Sequence, residues 1–134
     1  MKINSILLYN FGSYEGETLF DTRPTADGKN IVLIGGKNGA GKTTLFTAMR
    51  VCLYGYMSMG YKNANSHYNR AILKLINNNA KIRRPANAHV EMQIGLSNGH
   101  EVDLYTLRRE WTLGETLSEK FSVAKNEAVL AEDA

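Results

Sequence analysis

Gly36-Lys37-Asn38-Gly39-Ala40-Gly41-Lys42-Thr43 has the spacing G-x-x-x-x-G-K-[ST] and follows an apolar run, Ile31-Val32-Leu33-Ile34. The run reads as a buried strand, the glycines as a tight turn, and what comes next as a helix. Gly36, Gly39 and Gly41 allow the backbone to curl so that successive N–H groups point at an anion with no side chain in the way. Lys42 is a point charge suited to β- and γ-phosphates, and the hydroxyl of Thr43 is placed to ligate the Mg²⁺ that accompanies a nucleotide. From Thr43 to Tyr54, Leu45, Met49, Cys52 and Leu53 recur at helical spacing, and Gly55 stands where a helix stop is expected. The helix dipole therefore adds to the attraction for phosphate. ATP with Mg²⁺ is the expected ligand, held by Gly36, Lys37, Asn38, Gly39, Ala40, Gly41, Lys42, Thr43 and Thr44, with Lys42 in the catalytic part and Thr43 on the metal.

The 134 residues suffice for one domain with a two-layer core. The single cysteine, Cys52, excludes an internal disulfide and reads as a small core residue in a reducing compartment. No apolar run reaches membrane-spanning length and the first residues lack a secretory layout, so a cytoplasmic protein without a membrane partner is expected. Net charge is only +3, but no Asp or Glu occurs between Gly28 and Val90, where ten Lys and Arg fall. Lys62, Arg70, Lys74, Lys81, Arg83 and Arg84, interleaved with Tyr61, His67 and Tyr68, form a candidate surface for nucleic acid. A solvated basic face is the competing explanation.

Lys2 to Tyr9 and Glu17 to Asp21 read as two strands joined by the turn-rich Asn10-Phe11-Gly12-Ser13-Tyr14-Glu15-Gly16. Gly55 to Asn65 has no periodicity and reads as a loop. Tyr68, Ile72, Leu75 and Ile76 predict an amphipathic helix from Ser66 to Asn77. His89 to Leu96 alternates strictly, Asn98-Gly99 signals a hairpin into Glu101 to Tyr105, and further strands are expected around Phe121 and after Lys125-Asn126-Glu127. The apolar alternation slips near Tyr105-Thr106, which predicts a β-bulge there.

Hydrolysis requires more than a phosphate loop: an acid ending an apolar strand for Mg²⁺ and a group that orients water. Neither is found after Thr43. Asp103 lies inside an alternating strand and reads as solvent-facing, and Gln93, the only glutamine, sits in a regular strand. The remaining catalytic parts are expected on another chain, or on a longer protein of which residues 1–134 are the N-terminal lobe.

Read in order, the opening strand, Asn10-Phe11-Gly12, Gly36 through Thr44 and Leu53-Tyr54-Gly55 resemble the N-terminal half of the ATPase head in the SMC/SbcC group of DNA-processing proteins. The likeness covers essentially the whole chain. Within that group it is closest to the DndD family of bacterial DNA phosphorothioate modification, because of the basic helix between the phosphate-loop helix and the meander. The resemblance implies an α/β fold: the N-terminal lobe of an ABC/SMC-type head, a mixed sheet with the phosphate-loop helix and an antiparallel β-meander. It implies a coiled coil and a C-terminal lobe carrying the signature motif, the acidic magnesium strand and the catalytic Glu. Two such heads sandwich two ATP molecules. DNA, the chain's own C-terminal lobe, a second head and the other phosphorothioation proteins, of DndC and DndE type, are the implied partners. Some relatives carry an Arg at the position of Gly12 that reaches the phosphates, a contact Gly12 cannot make. An SbcC-like repair ATPase, a small self-contained P-loop kinase and a nucleotide-dependent interaction module without turnover are the alternatives.

Overall fold

The computed structural model describes residues 2–23 and 42–133. The expected strand at Ile31 to Ile34 and the loop residues Gly36 to Gly41 lie outside them. In chain order the elements are β1 (Lys2–Phe11), β2 (Tyr14–Asp21), α1 (Lys42–Tyr54), a 3₁₀ turn (Gly55–Met59), α2 (Ser66–Leu75), a short 3₁₀ turn (Ala80–Ile82), β3 (Ala86–Asn98), β4 (Glu101–Leu113), β5 (Leu117–Lys125) and β6 (Ala128–Asp133). The strands form one six-stranded sheet in the order β2-β1-β3-β4-β5-β6. Every pairing among the described residues is antiparallel, so the meander is present, and the parallel pairing that a mixed sheet requires is not found among them.

One face of the sheet carries Ile6, Leu8, Val90, Met92, Ala88 and Trp111, all at most 1% exposed, and α1 lies across it. Alternation at period two puts these residues on a single side. The buried stripe of α1 is Leu45, Ala48, Val51 and Cys52, with Met49 and Leu53 packed at its margin. That stripe is rotated slightly from the predicted one, since Ala48 and Val51 are fully buried while Met49 and Leu53 are only partly so. Burying each large side chain contributes about 1.5–3 kcal/mol.

α2 is capped by Asn65, whose Oδ1 accepts from Tyr68 N at 2.9 Å. Its buried residues are Tyr68 and Ile72; the helix ends at Leu75, two residues earlier than expected, and Ile76 turns extended to bridge Phe11. The segment after α1 is not plain loop, since Gly55–Met59 winds as a 3₁₀ turn and Gly60 closes it at φ +82°. The predicted bulge is absent: β3 and β4 pair without a shift from Ala86↔Leu113 to Asn98↔Glu101. Val102 and Leu104 face away from α1 while Leu107 and Trp111 face it, so the slip in the apolar pattern marks a change of face, not of register.

Candidate nucleotide site

Lys42 opens α1, Thr43 follows, and both side chains are exposed; Thr44 is half-buried and Leu45 begins the core. Packing of α1 on β1, β3 and β4 fixes the axis, and the helix start projects Lys42 and Thr43 outward. The first turn contains no acidic residue, so nothing there opposes an anion. A helix start with no acidic residue in its first turn, one ammonium and one hydroxyl fits a magnesium-bound phosphate in charge and donor type. Gly36, Lys37, Asn38, Gly39, Ala40 and Gly41 lie outside the described residues.

The Asn10-Phe11-Gly12 turn reaches the same helix start. Gly12 has φ +59°, and a Cβ built there would stand 2.9 Å from Thr44 Oγ1 and closer still to its methyl. Only glycine fits this approach. Asn10, itself at φ 52°, accepts from Gly16 N at 2.7 Å through Oδ1 and donates from Nδ2 to the Asn87 carbonyl at 3.0 Å. The turn was legible as a turn; its contact with Thr44 was not.

At the other end of α1 lies a group of residues that sequence reasoning missed. Arg109, 9% exposed, donates from Nε to the Cys52 carbonyl at 3.3 Å and from Nη1 to Glu119 Oε2 at 3.0 Å. Its guanidinium lies 4.1 Å from the Phe121 ring centroid. Glu119 Oε1 accepts from Tyr68 OH and Trp111 Nε1, each at 2.5 Å. Burial, and then the Glu119 carboxylate, raise the pKa of Tyr68 and keep its hydroxyl a donor. Gly55, at φ +55°, leaves room for the guanidinium, which a Cβ would meet at 2.9 Å. An Arg in an otherwise apolar-facing strand position was the available signal.

Cys52 is wholly buried, with Sγ 3.6 Å from the Val90 carbonyl and 3.7 Å from that of Leu107. Burial pushes its thiol up to about 12, which agrees with a core role. Asp103 is not solvent-facing: its side chain is 18% exposed and holds Lys125 Nζ at 3.6 Å and Asn126 Nδ2 at 3.2 Å. Gln93 pairs with Thr106 on the face of the sheet away from α1. Among the described residues no cluster of His, Cys, Asp and Glu could hold a metal ion.

The candidate nucleic-acid residues divide. Lys62, Arg70, Lys74, Arg83 and Arg84 are exposed, whereas Lys81 turns back to donate to the Leu73 carbonyl at 2.6 Å. Arg84 also donates to the Gly114 carbonyl at 3.1 Å. Tyr61 and His67 stack at the edge of this surface, ring centroids 6.3 Å apart. No helix among the described residues is long and apolar enough to cross a membrane.

A family model described as an AAA domain, AAA_23, matches residues 5–132. The chain belongs to the AAA_23 family. This is an SMC/SbcC-like family of AAA ATPases, so the match supports the superfamily inferred from the motifs. AAA_23 membership implies nucleotide binding, usually with Mg²⁺, and ATPase activity in general. No curated protein matches the chain.

Proposed function

We propose that residues 1–134 are the ATP-binding N-terminal lobe of an SMC-like ATPase that acts on DNA, of the DndD type that serves DNA phosphorothioate modification. The observation that carries this reading is the start of α1, where Lys42 and Thr43 stand exposed on a helix anchored by Leu45, Ala48, Val51 and Cys52. Lys42 holds the β- and γ-phosphates, Thr43 the Mg²⁺, and the N–H groups from Asn38 to Thr44 the phosphate oxygens. When bound, Mg²⁺ neutralises the phosphate charge that the loop and Lys42 do not.

Two further features support the reading. Phe46 and Tyr54, on one outward stripe of α1 with the exposed Arg50 between them, are 71% and 55% exposed, a mixed face suited to packing under a C-terminal lobe. The exposed Lys62, Arg70, Lys74 and Arg83 around α2 suit phosphate backbones, and a basic α2 between the phosphate-loop helix and the meander favours the DndD type over the SbcC type. A second head completes the ATP sandwich, and the sulfur chemistry belongs to the other phosphorothioation proteins.

The test is MgATP binding and turnover, with Lys42→Ala as control. Lysine-dependent binding without turnover by residues 1–134, and turnover restored by the C-terminal lobe, is the expected result. Lysine-dependent turnover by residues 1–134 alone would replace this reading with a self-contained kinase-like enzyme.

A further inference from the structure

The β1–β2 turn is gripped from the α2 side and pressed against the α1 side. Asn77, 7% exposed, donates from its backbone to the Asn10 carbonyl at 2.8 Å and from Nδ2 to the Gly12 carbonyl at 3.0 Å. Gly12 N donates to the Leu75 carbonyl. Asn77 is itself fixed, because its Oδ1 accepts from Asn79 N at 3.0 Å and Ala80 N at 3.3 Å. Phe11, fully buried, packs 5.8 Å from Trp111 between ring centroids. On its other side Gly12 meets Thr44, whose methyl and hydroxyl both face it.

We propose that Gly12 is a positioning residue of the nucleotide site: clamped by Asn77 and Leu75, it sets where Thr44 stands and with it the first turn of α1. This rests on the reading of that turn as the phosphate site. Thr44 is β-branched, so two of the three positions on its Cβ hold heavy atoms in every staggered rotamer. Rotation therefore always leaves at least one of them toward Gly12. A side chain at position 12 has to displace either the turn or the helix start. The turn is held by three hydrogen bonds and a buried Phe, whereas Lys42 and Thr43 are exposed, so the helix start moves. Serine at position 44 has a single heavy γ atom, which can occupy the position away from Gly12.

This geometry distinguishes positioning from simple stability. MgATP affinity is measured by calorimetry well below the melting temperature on the full natural chain, for the wild type, Lys42→Ala, Gly12→Ala, Thr44→Ser and the double variant Gly12→Ala/Thr44→Ser. Gly12→Ala is expected to weaken binding about tenfold, and Thr44→Ser, which keeps the backbone N–H of position 44, is the reference against which the double variant is read. The double variant is expected to bind like Thr44→Ser while still melting below it, because the collision is relieved but the backbone strain at φ +59° is untouched. Wild-type affinity in Gly12→Ala alongside lost affinity in Lys42→Ala overturns the proposal and spares the phosphate site. A double variant no better than Gly12→Ala also overturns it. Unchanged affinity in Lys42→Ala removes the phosphate site and the proposal together. Should Gly12→Ala fail to fold, Asn77→Ala loosens the clamp by removing the Nδ2 bond to the Gly12 carbonyl without adding an atom; about threefold weaker binding supports the proposal and wild-type binding overturns it.

Discussion

The two ends of α1 have opposite electrostatic treatment. At the N-terminus Lys42 and Thr43 are exposed and no acidic side chain occupies the first turn. At the C-terminus the Cys52 carbonyl accepts from a buried Arg109, whose charge is in turn met by Glu119, Tyr68 and Trp111 through that carboxylate. The negative end of the helix dipole is answered inside the fold, and the positive end is presented outward. A helix in a purely structural role has no need of that asymmetry. The closed end holds α1 on the sheet, and the open end, as far as the described residues go, suits a ligand of opposite charge.

Breaking the closed end has the largest expected effect. Arg109→Ala leaves Glu119, whose side chain is 22% exposed, without its cation and the Cys52 carbonyl without its donor, at a cost of about 3 kcal/mol. Urea unfolding measures this as a lower midpoint at unchanged slope. A loss below about 0.5 kcal/mol would show that Arg109 does not hold the helix end. The same substitution at the open end separates the two roles. Lys42→Ala is expected to leave stability within about 0.5 kcal/mol, since the residue is an exposed helix position. It is expected to lower MgATP affinity about 100-fold, the worth of a charge-assisted contact to phosphate.

Gly55→Ala tests the closed end more gently. The added Cβ meets the guanidinium at 2.9 Å and the backbone is held at φ +55°, so about 2 kcal/mol of stability is lost. Pairing Gly55→Ala with Arg109→Ala removes the collision and leaves the strain. The double variant should therefore cost less than the sum of the two single changes, and strict additivity would show that Gly55 and Arg109 are not coupled.

The elements on either side of this comparison were unequally legible. α1 follows from apolar spacing and the glycine stop, and the same local pattern places Lys42 and Thr43 at its start. The strands follow from alternation, yet the slip at Tyr105-Thr106 was read as a bulge, since periodicity alone does not tell a register shift from a change in which face is apolar. The Arg109–Glu119 pair and the Asn77–Gly12 clamp were not legible. The clamp joins residues far apart in the chain, the ion pair spans a hairpin whose register was not fixed beforehand, and Arg, Glu and Asn usually mark solvent. Asp103 was misjudged for the same reason, its burial coming from Lys125 and Asn126 across a strand that sequence could not align with it.

The smallest expected effect lies on the face of the sheet away from α1, which neither helix end touches. His89 stacks on Tyr9 with ring centroids 5.0 Å apart, and Arg108 Nη2 is 3.2 Å from its Nδ1. Partial burial, and then the Arg108 charge, lower its pKa below the usual 6.5, while Glu110 and Glu17 oppose the shift. The unfolded chain therefore binds a proton on His89 more readily than the folded one. The stabilisation is present above pH 6.5 and is lost as pH falls through the folded value. His89→Asn should flatten the fall in unfolding free energy below pH 6.5, with no change in the difference between Lys42→Ala and wild type in MgATP binding at pH 7.5. A stability profile of identical slope in both proteins would place the acid sensitivity elsewhere, among the carboxylates. A shift in nucleotide affinity would mean that the two faces of the sheet communicate, and that the open end of α1 is set by more than the elements packed against it.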